Sequence, residues 1–173
     1  MANIDLLVPK ILKWEGGYVN NPFDKGGATN MGVTLAAWQH LGHPTATEED
    51  IKNLTHDDFK MVLRTYWNQW QADRIENQSI AEILVDWVWG SGVWGIKIPQ
   101  RILGVVDDGQ VGNKTIEALN AANQDELFAK ILQARKDFLN QIVENNPSQH
   151  IFLQGWINRL NDYSFIFPTE NIA

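Results

Sequence analysis

The chain of 173 residues contains no cysteine, which excludes disulfide staples, cysteine-built zinc sites and thiol catalysis. Basic residues are in the minority, with 14 Lys plus Arg against 21 Asp plus Glu and a formal net charge of −7. A nucleic-acid binder needs a basic footprint to neutralise phosphates, and this balance argues against one. Long apolar runs are also missing. The most hydrophobic window, residues 80–98, holds Glu82, Asp86, Lys97 and three glycines, so no membrane insertion is expected. Met1-Ala2-Asn3-Ile4-Asp5 lacks the basic start and apolar stretch of a signal peptide.

Against these absences stands an ordinary globular composition, 44% hydrophobic and 20% charged, able to bury a core unaided. The length fits one compact domain, or one with a small second lobe. Eight Trp is a high number; most suit a core, and any exposed ring could stack on a sugar.

Hydrophobic periodicity predicts a mainly helical chain. Leu6, Leu7, Ile11, Leu12 and Trp14 place a helix over 3–14, stopped by Gly16-Gly17. Residues 16–34 hold five glycines among Asn, Thr and Pro, and read as a loop or a short irregular hairpin. Further helices are expected over 35–41, after the N-caps Thr47 and Thr55, and over 79–89, ended by Gly90-Ser91-Gly92. A further segment, 95–103, leads into the turn signal Asp107-Asp108-Gly109. Asn113 is expected to cap a helix reaching about 122, followed by helices over 124–144 and about 150–163. The stretch near residue 93 is a plausible seam, dividing 1–92 from 93–173 without a Ser/Pro-rich linker, so the two parts are expected to pack as one unit.

Glu15 contradicts local preference. It stands at the C-terminal end of the first helix, where unpaired carbonyls make the potential negative and Lys or Arg would be favoured. An acid there, beside Trp14 and Tyr18, is poised to keep its proton, as a general acid must. An exposed Glu at a frayed helix end is the alternative. Asp24 follows nine residues later in the glycine-rich loop. Glycoside hydrolysis uses two carboxyl groups, one to protonate the leaving oxygen and one to activate water or attack carbon. Thr29 and Asn30 offer a hydroxyl and an amide to orient that water. Asp24 can equally be a turn residue before Lys25-Gly26-Gly27. His40 and His43 lack neighbouring ligands for a metal site.

The run WEGGYVNNPFDKGGATNMGVT resembles the signature of glycoside hydrolase family 108, the N-acetylmuramidase-like proteins. Its Glu-Gly-Gly-Tyr, Asp, Gly-Gly-Ala-Thr-Asn and Gly-Val-Thr elements fall on Glu15–Tyr18, Asp24, Gly26–Asn30 and Gly32–Thr34. The resemblance implies a mainly α, lysozyme-like α+β fold with Glu15 as catalytic acid. By a looser likeness to phage-type lysozymes, Asp24 and Thr29 (or Asn30) would position the attacking water. Tyr66-Trp67 matches the family's Tyr-Trp pair, and Asp86–Gly92 its Phe-Asp-x-Ala-Val-Asn-Ser-Gly segment, with Val85, Trp89 and Gly90 departing from the pattern. Tyr18, Tyr66, Trp67 and Trp89 thereby become candidates for contacts to sugar rings, and Asn30 for a further substrate contact. Asp86 and Ser91 are candidates for lining the cleft; a buried hydrogen-bonding pair and a helix C-terminal turn are the equal alternatives for those two. The pattern over residues 99–115 resembles small helical peptidoglycan-binding modules, and residues 152–159 match the family's C-terminal block.

The implied function is a muramidase that cleaves the β-1,4 bond after N-acetylmuramic acid. It would need no metal or organic cofactor, since two carboxyl groups suffice. The partner would be the glycan strands of peptidoglycan, reached from the cytoplasm after lysis or with a holin for export. A non-catalytic wall-binding or secretion-associated scaffold is the alternative, favoured by the departures at Val85, Trp89 and Gly90 and disfavoured by the intact Glu15 and Asp24.

Overall fold

The structure, a computed structural model, describes residues 1–22 and 27–167. It is mainly helical with one small antiparallel sheet, the α+β arrangement expected. The chain divides into two compact units, Asn3–Trp67 and a second formed by Met1–Ala2 with the residues from Asn68 onward.

The first unit begins with a 3₁₀ turn, Ile4–Leu6, and then α1, Val8–Trp14. The single helix expected over 3–14 is thus two pieces. Pro9 sits in the first turn of α1 and has no N–H to extend a helical ladder backward. The glycine-rich segment forms β1 (Val19–Asn20), β2 (Ala28–Asn30) and β3 (Val33–Thr34), paired in that order. Asn30 pairs with Val33, leaving Met31-Gly32 as a two-residue turn with φ of 50° and 77°. Positive φ at both central positions is the type I′ geometry that matches the twist of antiparallel strands.

Three threonines then start three helices. Thr34 accepts from the Ala37 N–H at 3.1 Å and opens α2, Leu35–His40. Thr47 and Asp50 form a capping box on α3, Glu48–Lys52, with the Asp50 carboxylate accepting from the Thr47 N–H at 2.7 Å. Thr55 and Asp58 repeat that exchange at 2.9 and 3.1 Å ahead of α4, His56–Gln69. The core of this unit includes Leu7, Ile11, Ile51, Phe59, Leu63 and Trp67, all at 0% exposure.

In the second unit, α5 (Gln78–Ser91) is buried at every position from Ser79 to Val88. A helix buried on every face must be enclosed by its neighbours, here including α6 (Trp94–Leu103) and α8 (Gln124–Asn145). Of the expected stop Gly90-Ser91-Gly92, the first two residues remain helical and Gly92 ends α5 at φ 59° with its N–H on the Val88 carbonyl. Gly95 makes the α5–α6 approach possible, because a Cβ there would stand 2.6 Å from the Val88 nitrogen and 2.7 Å from the Trp87 carbonyl carbon. The Trp70 indole N–H donates to the Gly95 carbonyl at 3.2 Å.

The loop from α6 to α7 (Asn113–Ala121) is organised by the fully buried Gln100. Its Nε2 donates to Asp108 Oδ1, the Gln110 carbonyl and Thr115 Oγ1, and its Oε1 accepts from the Gly109 N–H at 2.9 Å. Gly112 takes the N-cap position assigned above to Asn113. The chain closes with α9, His150–Asn161, packed on α8, and an extended segment in which Tyr163 is buried.

Candidate active site

Glu15 is the C-cap residue of α1, its backbone extended at ψ 136° and its N–H still donating to the Ile11 carbonyl at 3.1 Å. That geometry turns the half-buried side chain off the helix end. Its carboxyl lies directly over the type I′ turn: a Cβ on Gly32 would fall 2.6 Å from Glu15 Oε2 and 2.7 Å from Cδ. The turn is anchored beside it, the Met31 N–H donating to the Gly16 carbonyl at 3.0 Å. The helix end and the hairpin tip thus fix one another on either side of the acid. Next to it, Gly16 and Gly17 have nothing among the described residues within 4 Å of where a Cβ would be, so the described surface beside the carboxyl is open.

Strand alternation separates the two candidates for holding water. Ala28 and Asn30 are buried on one face of β2, and Thr29 between them is half-exposed on the other. Asn30 Nδ2 donates to the carbonyls of Ile51 and Lys52 at 3.0 and 3.3 Å. It closes the C-terminal carbonyls of α3 that have no partner within that helix. The Asn30 amide therefore serves the fold, and Thr29 retains the outward position. Asp24 lies outside the described residues.

Tyr18 is 37% exposed just before β1. Tyr66 is half-buried on α4, and that burial pushes its phenol up from the ordinary value. Trp67 is a correction: at 0% exposure its ring has no surface to offer a sugar. It follows Phe59 and Leu63 at spacings of four on the core face of α4. That apolar spacing of four outweighs the reading drawn from the Tyr-Trp pair. His43, considered with His40 for a metal, stacks on Trp38 with ring centroids 3.9 Å apart.

Asp86 and Trp89 belong to the second unit. Trp89 is half-buried near the end of α5. Asp86 is 1% exposed, and both its oxygens are engaged, Oδ2 by Arg135 Nη1 at 3.0 Å and Oδ1 by Arg159 Nη2 at 2.8 Å. Burial pushes its carboxyl up, but the two guanidinium groups outweigh that and hold it below the usual carboxylate range. Of the two readings of Asp86, the geometry is that of the buried, hydrogen-bonded one: an ion-pair hub rather than a surface for a sugar. Arg135 and Arg159 were not anticipated, although Arg135 stands four residues from both Ile131 and Leu139 on the apolar stripe of α8. A charge on such a stripe is a visible signal. Tyr163 is buried near the same cluster, and that burial raises its phenol further, helped by the Asp86 charge.

Residues 8–92 match the family model for glycosyl hydrolase 108. Residues 8–92 belong to that family. Residues 94–161 match the model of a predicted peptidoglycan domain. The chain is also similar to a solved structure, SagA of Brucella abortus, at 29% identity and a TM-score of 0.77, over 92% of this chain and 90% of that one. No curated protein matches it in sequence. The first match spans the run that carries the resemblance noted in the sequence, and the second lies over a predicted peptidoglycan domain. Among the described residues, no helix is long and apolar enough to cross a membrane.

Proposed function

We propose that the chain is a muramidase that hydrolyses the β-1,4 bond between N-acetylmuramic acid and N-acetylglucosamine. The observation that carries this reading is the seat of Glu15, a carboxyl held over a glycine turn beside an open surface. Glu15 donates its proton to the glycosidic oxygen as the bond to the anomeric carbon breaks. Asp24, with the Thr29 hydroxyl, positions water or stabilises the oxocarbenium-like transition state. Tyr18 and Tyr66 contact sugar rings. The substrate is the glycan strand of the wall, so the enzyme acts in the periplasm or outside the cell.

The test is clearing of purified sacculi by the wild type and by Glu15→Gln, with the product ends identified. Glu15→Gln keeps the size and one acceptor of the carboxyl but has no proton to give. Wild-type clearing with new muramic reducing ends, lost in a folded Glu15→Gln, is the expected outcome. An equally active Gln variant would sink the mechanism.

A further inference from the structure

The unit that begins at Asn68 contains a cavity of about 230 Å³ among α5, α8 and α9. Its charged lining is Asp86, Arg135 and Arg159, and its apolar lining is Leu139, Ile142 and Trp156. Arg135 is only 8% exposed. Both of its hydrogen bonds, to the Ile83 carbonyl at 3.2 Å and to Asp86, leave from Nη1. The other edge of the guanidinium, Nε and Nη2, donates to nothing among the described residues. That edge is not sealed from solvent, and Arg135 lines the cavity, so the donors are open to an acceptor that enters it.

That edge has the geometry that grips a carboxylate through two parallel N–H···O bonds. Asp86 lies within the same cluster and would repel a doubly charged phosphate more strongly than a singly charged carboxylate. Apolar walls beside a single ionic grip suit a small alkyl side chain next to the acid. Outside the cavity, Phe152 is 49% exposed and stacks on Trp156 with centroids 6.0 Å apart, giving a shelf over which a longer ligand can run. Ser91 also lines the cavity and supplies a hydroxyl for a peptide group.

We propose that this cavity binds the terminal carboxylate of a short peptide whose last residue is small and apolar. The choice of peptide rests on the wall-acting reading, since peptidoglycan strands carry short peptides that end in such a carboxylate. The cavity is a site distinct from Glu15, and it would hold the strand's peptide rather than its sugars.

The test is a titration of the full chain by nitrogen-15 NMR, following the Arg135 Nε–H and Trp156 indole signals. Three probes are used: N-acetyl-D-alanyl-D-alanine, its C-terminal amide, and acetate. Saturable binding of the acid is expected, with the amide and acetate each at least roughly tenfold weaker. Arg135→Lys, which keeps a charge for Asp86 but loses the fork, should weaken the acid at least tenfold by the same reasoning. Leu139→Trp, which fills the cavity and leaves the ion pairs in place, should abolish binding while the melting temperature holds. The proposal is overturned by no saturable binding up to about 10 mM, by equal binding of acid and amide, or by a Leu139→Trp variant that binds as well as wild type. Acetate binding as tightly as the peptide would reduce the cavity to a bare anion site and overturn it too. None of the probes has a glycosidic bond, so these results do not depend on Glu15. A chain that clears sacculi but ignores the peptide sinks only this proposal, and one that binds peptide but never clears sacculi sinks only the muramidase.

Discussion

At Gly32 a single added methyl would stand where the Glu15 carboxyl now lies. The position also has φ of 77°, where an L-residue is strained by roughly 1–2 kcal/mol. Gly32→Ala should therefore lower the melting temperature modestly and cut sacculus clearing more than tenfold, because the acid must move from its seat. Unchanged clearing would show that the turn does not set the acid's position. Asp24→Asn should lower turnover while leaving glycan binding nearly intact, and Glu15→Gln should be the worse of the two, which rate and affinity measured on a defined glycan would decide. Glu15 was legible in the sequence because an acid at a helix C-terminus breaks an electrostatic preference. Thr29 and Asn30 could not be separated there, since which strand face turns inward depends on register, and register depends on the partner strands. At Trp67 the core face of α4 overrides the two-residue Tyr-Trp match, since Phe59, Leu63 and Trp67 recur every four residues and all are buried.

Elements were legible to the extent that they are closed by local chemistry. The Thr-led helix starts follow from capping, and α8 follows from its stripe. The breaks that were missed belong to backbone effects with weak sequence marks: Pro9 splitting the first helix, and Gly90 staying helical because α5 is held by its surroundings. The type I′ turn was hidden because Met31 replaces the Asn that usually precedes Gly in such a turn. Met31→Asn should raise stability by up to about 1 kcal/mol, since Asn tolerates positive φ. A denaturant midpoint equal to or below wild type would contradict this. At the α5–α6 crossing the opposite is expected. Gly95→Ala puts a methyl into backbone atoms that cannot rotate away, and should cost about 1–3 kcal/mol in urea titrations.

For the whole molecule, the family-model boundary at residues 92–94 and the compact-unit boundary at residues 67–68 do not coincide. A fragment ending at 92 would keep α5 but lose α6 and α8, baring a helix whose residues from Ile80 to Val88 are buried. It should aggregate or bind hydrophobic dyes; a monomeric fragment with a cooperative transition would refute this. Acid should weaken the second unit in particular. The Asp86 carboxyl is depressed in the folded chain, so its contribution is complete above the ordinary value of 3.8 and is lost as pH falls through the folded value. Melting temperatures taken downward from pH 5 should fall, and Asp86→Asn should flatten that limb while costing about 3–5 kcal/mol near neutrality. The same three residues set an order of events in time. Asp86 meets Arg135 across 49 residues and Arg159 across 73, separations that local helix formation cannot bridge. The clasp can close only once α5, α8 and α9 are docked, and the expectation is that it closes after the main barrier to folding. Asp86→Asn should then leave the refolding rate almost unchanged and speed unfolding, so that the chevron shifts along one arm. On this view the buried carboxylate acts as a latch on the lifetime of the native state.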